Sequence, residues 1–416
     1  EENEVHFVSL WGKKNLSVIV QKFLEDAHVQ IHYLSGKSFG KWKEYYQLLK
    51  QQKIEIAFNY LTTCDVTGAM VEKLAGVKTV FNGIRNSRLA PAKTVLEWFA
   101  HNFFADYTIY NCQSGAKHFE NLGFCKKKTI VIPNCFPNIS KPIERTDKDI
   151  KTIITVGRFE PQKDYLTAIK TIADLRKTRQ DFVFTIIGHG HIETQVRDWV
   201  EEYGLTNYTQ ILIAPDNVQE ILKSADIYLS TSLFEGTSNS IMEAMNWSIP
   251  VVATNVGDNN QLIKDSWNGY LISIGDYKKL SEHLLKLLHD DKLRIEMGIR
   301  GNERLHNYSV ERFVENYSKA AILNEALIQA RVEENTDLKI SKLLEVTKIE
   351  NRWALVTEFI EGTPLDVLMR EHPEKEDEYL NLFIDIQLEI MSKKVPTLNR
   401  LKDKEYLDGV DNNFVF

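Results

Sequence analysis

Four cysteines in 416 residues, Cys64, Cys112, Cys125 and Cys135, are few, and none stands at metal-ligand spacing. That scarcity argues against a disulfide-stapled scaffold and fits buried thiols in a reducing cytoplasm. Long apolar runs are missing too. None approaches the ~20 residues of a membrane span, and the N-terminus carries no secretory pattern. Hydrophobic content of 43% and charged content of 26% are ordinary for globular protein. The length suggests two or three domains.

Charge is unevenly spread over the net −7. Residues 1–137 hold 17 Lys and Arg against 12 Asp and Glu; residues 331–416 hold 12 against 19. A mildly basic first third suits an anionic acceptor or a bilayer surface. A chance imbalance of surface charge explains it equally well. Nothing points to nucleic acid.

What is abundant is alternation. "VHFVSLW", "VQIHYLS", "IEIAFNYL", "KTVFNGI", "YTIYNC" and "KTIVIP" read as strands, with amphipathic helices between them. A polar segment with two prolines, "NCFPNISKPIERTDKDIK", breaks the pattern as a linker. A second block follows, from "TIITVGR" through "FVFTIIGHG", "TQILIAP", "DIYLSTS" and "PVVATNV" to "GYLISIG", again with intervening helices. Strand-helix alternation implies parallel sheets covered on both faces. The expected architecture is α/β, two doubly wound Rossmann-like domains facing a cleft. Its expected parts are residues 1–137, a linker at 138–150, residues 151–330, and a small α/β appendage at 331–416.

"TSLFEGTSNSIMEAMNWSIPVVATNVGDN", residues 231–259, sets two acids around a run of small donors. It should leave a buried strand and enter a helix near Ser238. Free backbone N–H groups and the positive end of the helix dipole meet there. One reading seats a diphosphate on the loop amides, with a sugar at Glu235 and a ribose at Glu243. The plainer one makes Glu235 a surface loop acid and Glu243 a helix-face charge. Upstream, "VGRFEPQKDY" places Arg158 beyond a strand and Lys163 five residues on, two cations suited to a leaving diphosphate. "IIGHGHIE" offers Gly188 and Gly190 at another strand end, without the third glycine of a dinucleotide fingerprint.

Taken together, "VGRFEPQKD", "IIGHGHIETQV", "LSTSLFEGTSNSIMEAMNWSIPVVATNVG" and "DSWNGYLI" resemble the donor domain of retaining GT-B glycosyltransferases of family 4 over about residues 151–320. The resemblance implies that Arg158 and Lys163 bind the diphosphate of a nucleotide sugar and that Glu235 contacts the donor sugar. It implies that Gly157, Gly188 and Gly236, Thr237, Ser238, Asn239 and Ser240 line the donor site, with Glu243 on the ribose hydroxyls. No metal and no cofactor are implied. The reaction would be retaining transfer of a hexose or N-acetylhexosamine, UDP favoured, to a glycan or lipid-linked acceptor. A nucleotide-sugar epimerase and a non-catalytic glycosyltransferase-like subunit are the competing classes. The base would sit near "ILIAPDNVQ".

The first domain follows the family more loosely. Its strand-one loop, "SLWGKKN", offers Gly12, and "NGIRNSRLAP" offers Arg85 and Arg88 at a strand end as acceptor-side candidates. His6 and His32 read as sheet residues, and Lys126 to Lys128 as a solvated face. Peripheral contact with the inner face of the membrane is an expectation for this basic domain. "VTEFIEGTPL" is weakly similar to the hinge of aminoglycoside phosphotransferase-like kinases, but no catalytic Asp and Asn set follows. The favoured expectation for residues 331–416 is packing or self-assembly.

Overall fold

The computed structural model describes residues 4–10, 16–35, 39–143, 145, 148–321, 343–349, 352–357 and 375. These fall into two compact units: residues 1–133 with 140–305, and residues 134–139 with 306–416.

Among its described residues the first unit holds twelve strands, all in parallel pairings. Its N-terminal half contains β1 (His6–Ser9), β2 (Gln30–Tyr33), β3 (Ile56–Phe58), β4 (Thr79–Ile84), β5 (Tyr107–Tyr110) and β6 (Thr129–Val131). The six strands read from sequence are all present. They form a two-stranded sheet, β1–β2, and a separate four-stranded sheet in the order β3-β4-β5-β6. Every residue of β4 is buried, as a strand covered on both faces requires.

One helix here escaped the sequence reading, Pro91–Phe99. It continues into a π-helical turn, Ala100–Phe104. A second such turn, Cys64–Gly68, follows β3. Between them lies a buried carboxyl pair. Asp65 accepts from Gly83 N at 3.1 Å and is hydrogen-bonded to Glu97, itself bonded to Thr62. Burial, then mutual charge, pushes Asp65 up; burial likewise raises Glu97. A hydrogen bond between two carboxyls needs a proton, so the folded pair binds more protons than the unfolded chain near neutral pH. A raised folded pKa stabilises below the unfolded value and loses that contribution as pH rises through the folded one. Glu97→Gln should therefore flatten the fall of stability above about pH 4.5, by up to ~1.4 kcal/mol per pH unit. Melting temperatures measured from pH 5 to 8 check this; parallel curves for the two proteins would refute it.

The second half contains β7 (Lys151–Val156), β8 (Phe182–Gly188), β9 (Thr209–Ile213), β10 (Ile227–Ser230), β11 (Val251–Thr254) and β12 (Gly269–Ile272). They form one sheet in the order β12-β11-β10-β7-β8-β9. The β-branched run "KTIITV" pairs along its full length with residues 182–187 of "FVFTIIG". Ile153, Phe184, Ile186, Leu229 and Val252 are wholly buried between helices on either face. The chain winds outward from β7 to β9, then returns to place β10 on the other side of β7. That reversal is a topological switch point, and the crevice beyond the carboxyl ends of its two strands is where open α/β sheets bind ligands.

The second unit contributes a helical stretch over 310–321 and an antiparallel hairpin, β13 (Leu343–Ile349) and β14 (Arg352–Thr357). Ser309 starts the helix and accepts from Arg312 N at 3.4 Å. The kinase-hinge-like "EFIEGTPL" lies outside the described residues. No described helix is long and apolar enough to cross a membrane.

Candidate active site

The two strands at the switch point, β7 and β10, each release a loop carrying one of the motifs read from sequence. After β7 the chain passes Gly157 and Arg158 into a short 3₁₀ turn, Pro161–Lys163. Asp164 then takes a left-handed conformation (φ 47°), and its side chain caps helix Tyr165–Leu175, accepting from Thr167 N at 3.3 Å and Thr167 Oγ1 at 2.6 Å. That cap fixes where Lys163 leaves the backbone.

After β10 come Thr231 to Ser238, then helix Asn239–Asn246. The two loops are stitched together. Thr231 Oγ1 donates to Lys163 O (3.0 Å) and Asp164 O (2.9 Å), Leu233 N donates to Gln162 O (2.8 Å), and Gln162 Nε2 donates to Phe234 O (2.7 Å). At their junction Lys163 Nζ lies 2.6 Å from Glu235 Oε1, which also accepts from Ser232 Oγ at 2.7 Å. Glu235 is only 8% exposed, whereas Arg158 stands exposed at the crevice.

The remaining donor-side candidates surround this pair. Gly157 O accepts from Tyr165 OH at 2.8 Å, and a Cβ on Gly157 would sit 3.2 Å from Lys163 Cε. A Cβ on Gly188 would lie 1.9 Å from Gly157 O, so the end of β8 must be glycine to let the Arg158 loop pass. Ser238 precedes the helix without a side-chain cap, its hydroxyl 3.3 Å from that of Ser240. Asn239 opens the helix and is exposed. Glu243 lies a turn further on, half-buried and hydrogen-bonded to Gln219; burial holds its carboxyl above the ordinary value.

The N-terminal half meets the same loop. Thr237 Oγ1 donates to Asn111 O (2.7 Å), the Arg88 guanidinium stacks 5.6 Å over the Phe234 ring, and Asn111 Nδ2 donates to Arg85 O (3.0 Å). Arg85 is exposed after β4. Gly12 lies outside the described residues. Burial, with the Asp258 charge beside it, pushes the Cys112 thiol up to about 11, so it stays protonated at neutral pH. Sequence reasoning missed Ser232, Gln162, Asn111 and Asp258; only the polar character of "TSLFEGTSN" hinted at the first.

Residues 138–304 match the family model for glycosyl transferases group 1. Over this segment the chain is similar to group 1 glycosyltransferases. The family includes the retaining GT-B enzymes, and the two parallel α/β halves match that fold. The chain is 24% identical over 297 residues to the Escherichia coli UDP-Gal:alpha-D-GlcNAc-diphosphoundecaprenol alpha-1,3-galactosyltransferase, covering 65% of this chain and 76% of that one. It is 21% identical to a Campylobacter jejuni alpha-1,4-N-acetyl-D-galactosaminyltransferase named for a PP-undecaprenol-linked substrate, covering 69% and 80%. The crystal structure of Anabaena HepE with UDP superposes with a TM-score of 0.65 at 17% identity, over 78% of this chain and 100% of that one. The comparisons do not support the kinase-like similarity of the C-terminal segment.

Proposed function

We propose that this chain is a glycosyltransferase that moves a hexose or N-acetylhexosamine from a UDP-sugar to a glycan or lipid-linked acceptor, with retention. The carrying observation is the Lys163–Glu235 pair at the switch point, beside a glycine-bearing loop that opens a helix. Arg158 and Lys163 stabilise the charge that develops on the departing diphosphate. Glu235 holds the donor sugar through its hydroxyls. Gly157, Gly188 and the main chain of Gly236 to Ser240 line the donor, and Glu243 takes the ribose. The transition state is oxocarbenium-like, and the leaving diphosphate accepts the acceptor's proton on the same face. The UDP in the names of the galactosyltransferase and of the HepE complex supports the choice of base.

A thermal-shift panel of UDP-, GDP- and ADP-sugars tests it. A UDP-sugar at ~100 times its dissociation constant should add about 2.7 kcal/mol of stability. A shift with GDP- or ADP-sugars alone rejects the choice of base; no shift with any rejects the donor site. Release of UDP only when acceptor is present separates transfer from epimerisation.

A lipid-linked acceptor draws support from one surface. Val95, Leu96, Phe99 and Phe103 are 56, 48, 49 and 64% exposed along helix Pro91–Phe99 and its following turn. Hydrogen bonds from Trp98 Nε1 to Gly123 O (2.9 Å) and from Cys125 N to Asn102 Oδ1 (3.1 Å) bring exposed Lys126 and Lys127 alongside. Apolar side chains flanked by lysines suit peripheral contact with an anionic leaflet. Co-sedimentation with phosphatidylglycerol vesicles should fall at least about threefold in a Phe99→Ser, Phe103→Ser double variant; unchanged binding removes this surface.

A further inference from the structure

Helix Gln113–Asn121 begins with only a weak cap of its own. Cys112, at its N-cap position, forms no regular side-chain cap and offers Gly115 N only a thiol sulfur, a weak acceptor. The strong acceptor comes from 145 residues away. Asp258 Oδ2 accepts from Gln113 N at 2.6 Å and Asp258 Oδ1 from Ser114 N at 2.9 Å. A carboxylate taking two main-chain N–H groups at a helix start gains both charge-assisted bonds and the favourable end of the dipole. Asp258 is 4% exposed, so little water competes.

The residue is equally tied to the donor loop. Asp258 N donates to Gly236 O at 3.3 Å. Gly257, at φ 55°, passes so close that a Cβ there would sit 2.2 Å from Glu235 O. On the other strand of the contact, Thr237 Oγ1 reaches Asn111 O. Residues 111–114 of the N-terminal half are thus fastened to residues 235–237 through Asp258 and Thr237.

We propose that Asp258 is a positioning residue for transfer. Its carboxylate supplies the cap of helix Gln113–Asn121 across the boundary between the two halves, and so holds the Glu235–Thr237 loop in register with the N-terminal half. The proposal rests on the reading of that loop as the donor site, but one of its readouts does not. Each half keeps its own core without Asp258, so what the residue controls is registration of the halves and not their folding.

The experiment uses the full chain carrying Asp258→Ala or Asp258→Asn. Hydrogen exchange of the peptide spanning residues 111–121 should accelerate about tenfold or more in Asp258→Ala, with exchange in the strands of both halves unchanged. Transfer should lose about tenfold or more in kcat while UDP affinity stays within about twofold. Asp258→Asn keeps one acceptor oxygen and should recover part of both. Exchange unmoved at 111–121 overturns the cap. Faster exchange with wild-type kcat overturns the positioning role. A joint fall of kcat, UDP affinity and melting temperature reduces Asp258 to a structural residue and overturns it too. Failure of wild-type protein to bind UDP defeats the donor reading, while the exchange result still decides the cap.

Discussion

Lys163→Ala and Glu235→Ala should each lower the transfer rate by about 10²–10³-fold, and their stabilities should change unequally. Lys163 Nζ and Glu235 Oε1 lie 2.6 Å apart, with side chains 20 and 10% exposed. Removing the lysine leaves a carboxylate facing Ser232 Oγ alone at its buried oxygen, a loss of roughly 1–3 kcal/mol. Removing the glutamate leaves an ammonium on a flexible stem that reaches water more easily, so the loss is smaller. The double variant should be more stable than Lys163→Ala, because the orphaned charge has gone. Rates of nucleotide diphosphate release and melting temperatures of the three proteins check both halves of the argument. A folded Lys163→Ala enzyme with an undiminished rate would show that the pair does not serve the leaving group.

The fold was legible wherever periodicity was strong. The twelve parallel strands of the first unit are short β-branched or aromatic runs bounded by turn residues, and all twelve were readable. Helix Pro91–Phe99 was not, because its outward face carries Val95, Leu96 and Phe99 in place of polar residues. Pro91 at its first turn was the only local signal. The splitting of the N-terminal strands into two sheets was equally illegible, since strand pairing depends on contacts distant in sequence.

The site divides along the same line. Its loops could be placed because each follows a recognisable strand, and Glu235 and Lys163 stand out by residue type. The partnership between them could not be read, being a contact over 72 positions. Asp258 was invisible for the same reason. In "VGDNN" it reads as a turn aspartate, and only the neighbouring half shows what its carboxylate does.

Gly188→Ala should be among the most damaging single substitutions in the donor half, at about 3 kcal/mol or more. The new methyl group would sit 1.9 Å from Gly157 O and 2.9 Å from Phe159 Cε1. Neither neighbour can retreat cheaply. Gly157 N donates to Ile187 O (2.9 Å), Gly157 O accepts from Tyr165 OH (2.8 Å), and Phe159 is wholly buried. Gly188 itself is held in β8, pairing with Ile213 of β9, and its carbonyl accepts from Ala214 N. Relief must come from displacing residues 157–163, the segment that carries Arg158 and Lys163, so whatever protein folds should also transfer sugar poorly. Gly40→Ala is the matched contrast. A Cβ there meets nothing within 4 Å, the residue lies in helix Phe39–Gln51, and alanine should stabilise by up to ~1 kcal/mol. Urea midpoints of the two variants should move in opposite directions. A Gly188→Ala protein with a wild-type midpoint would mean that the β7 loop does not cross the end of β8 this closely, and the placement of both cations would fall with it.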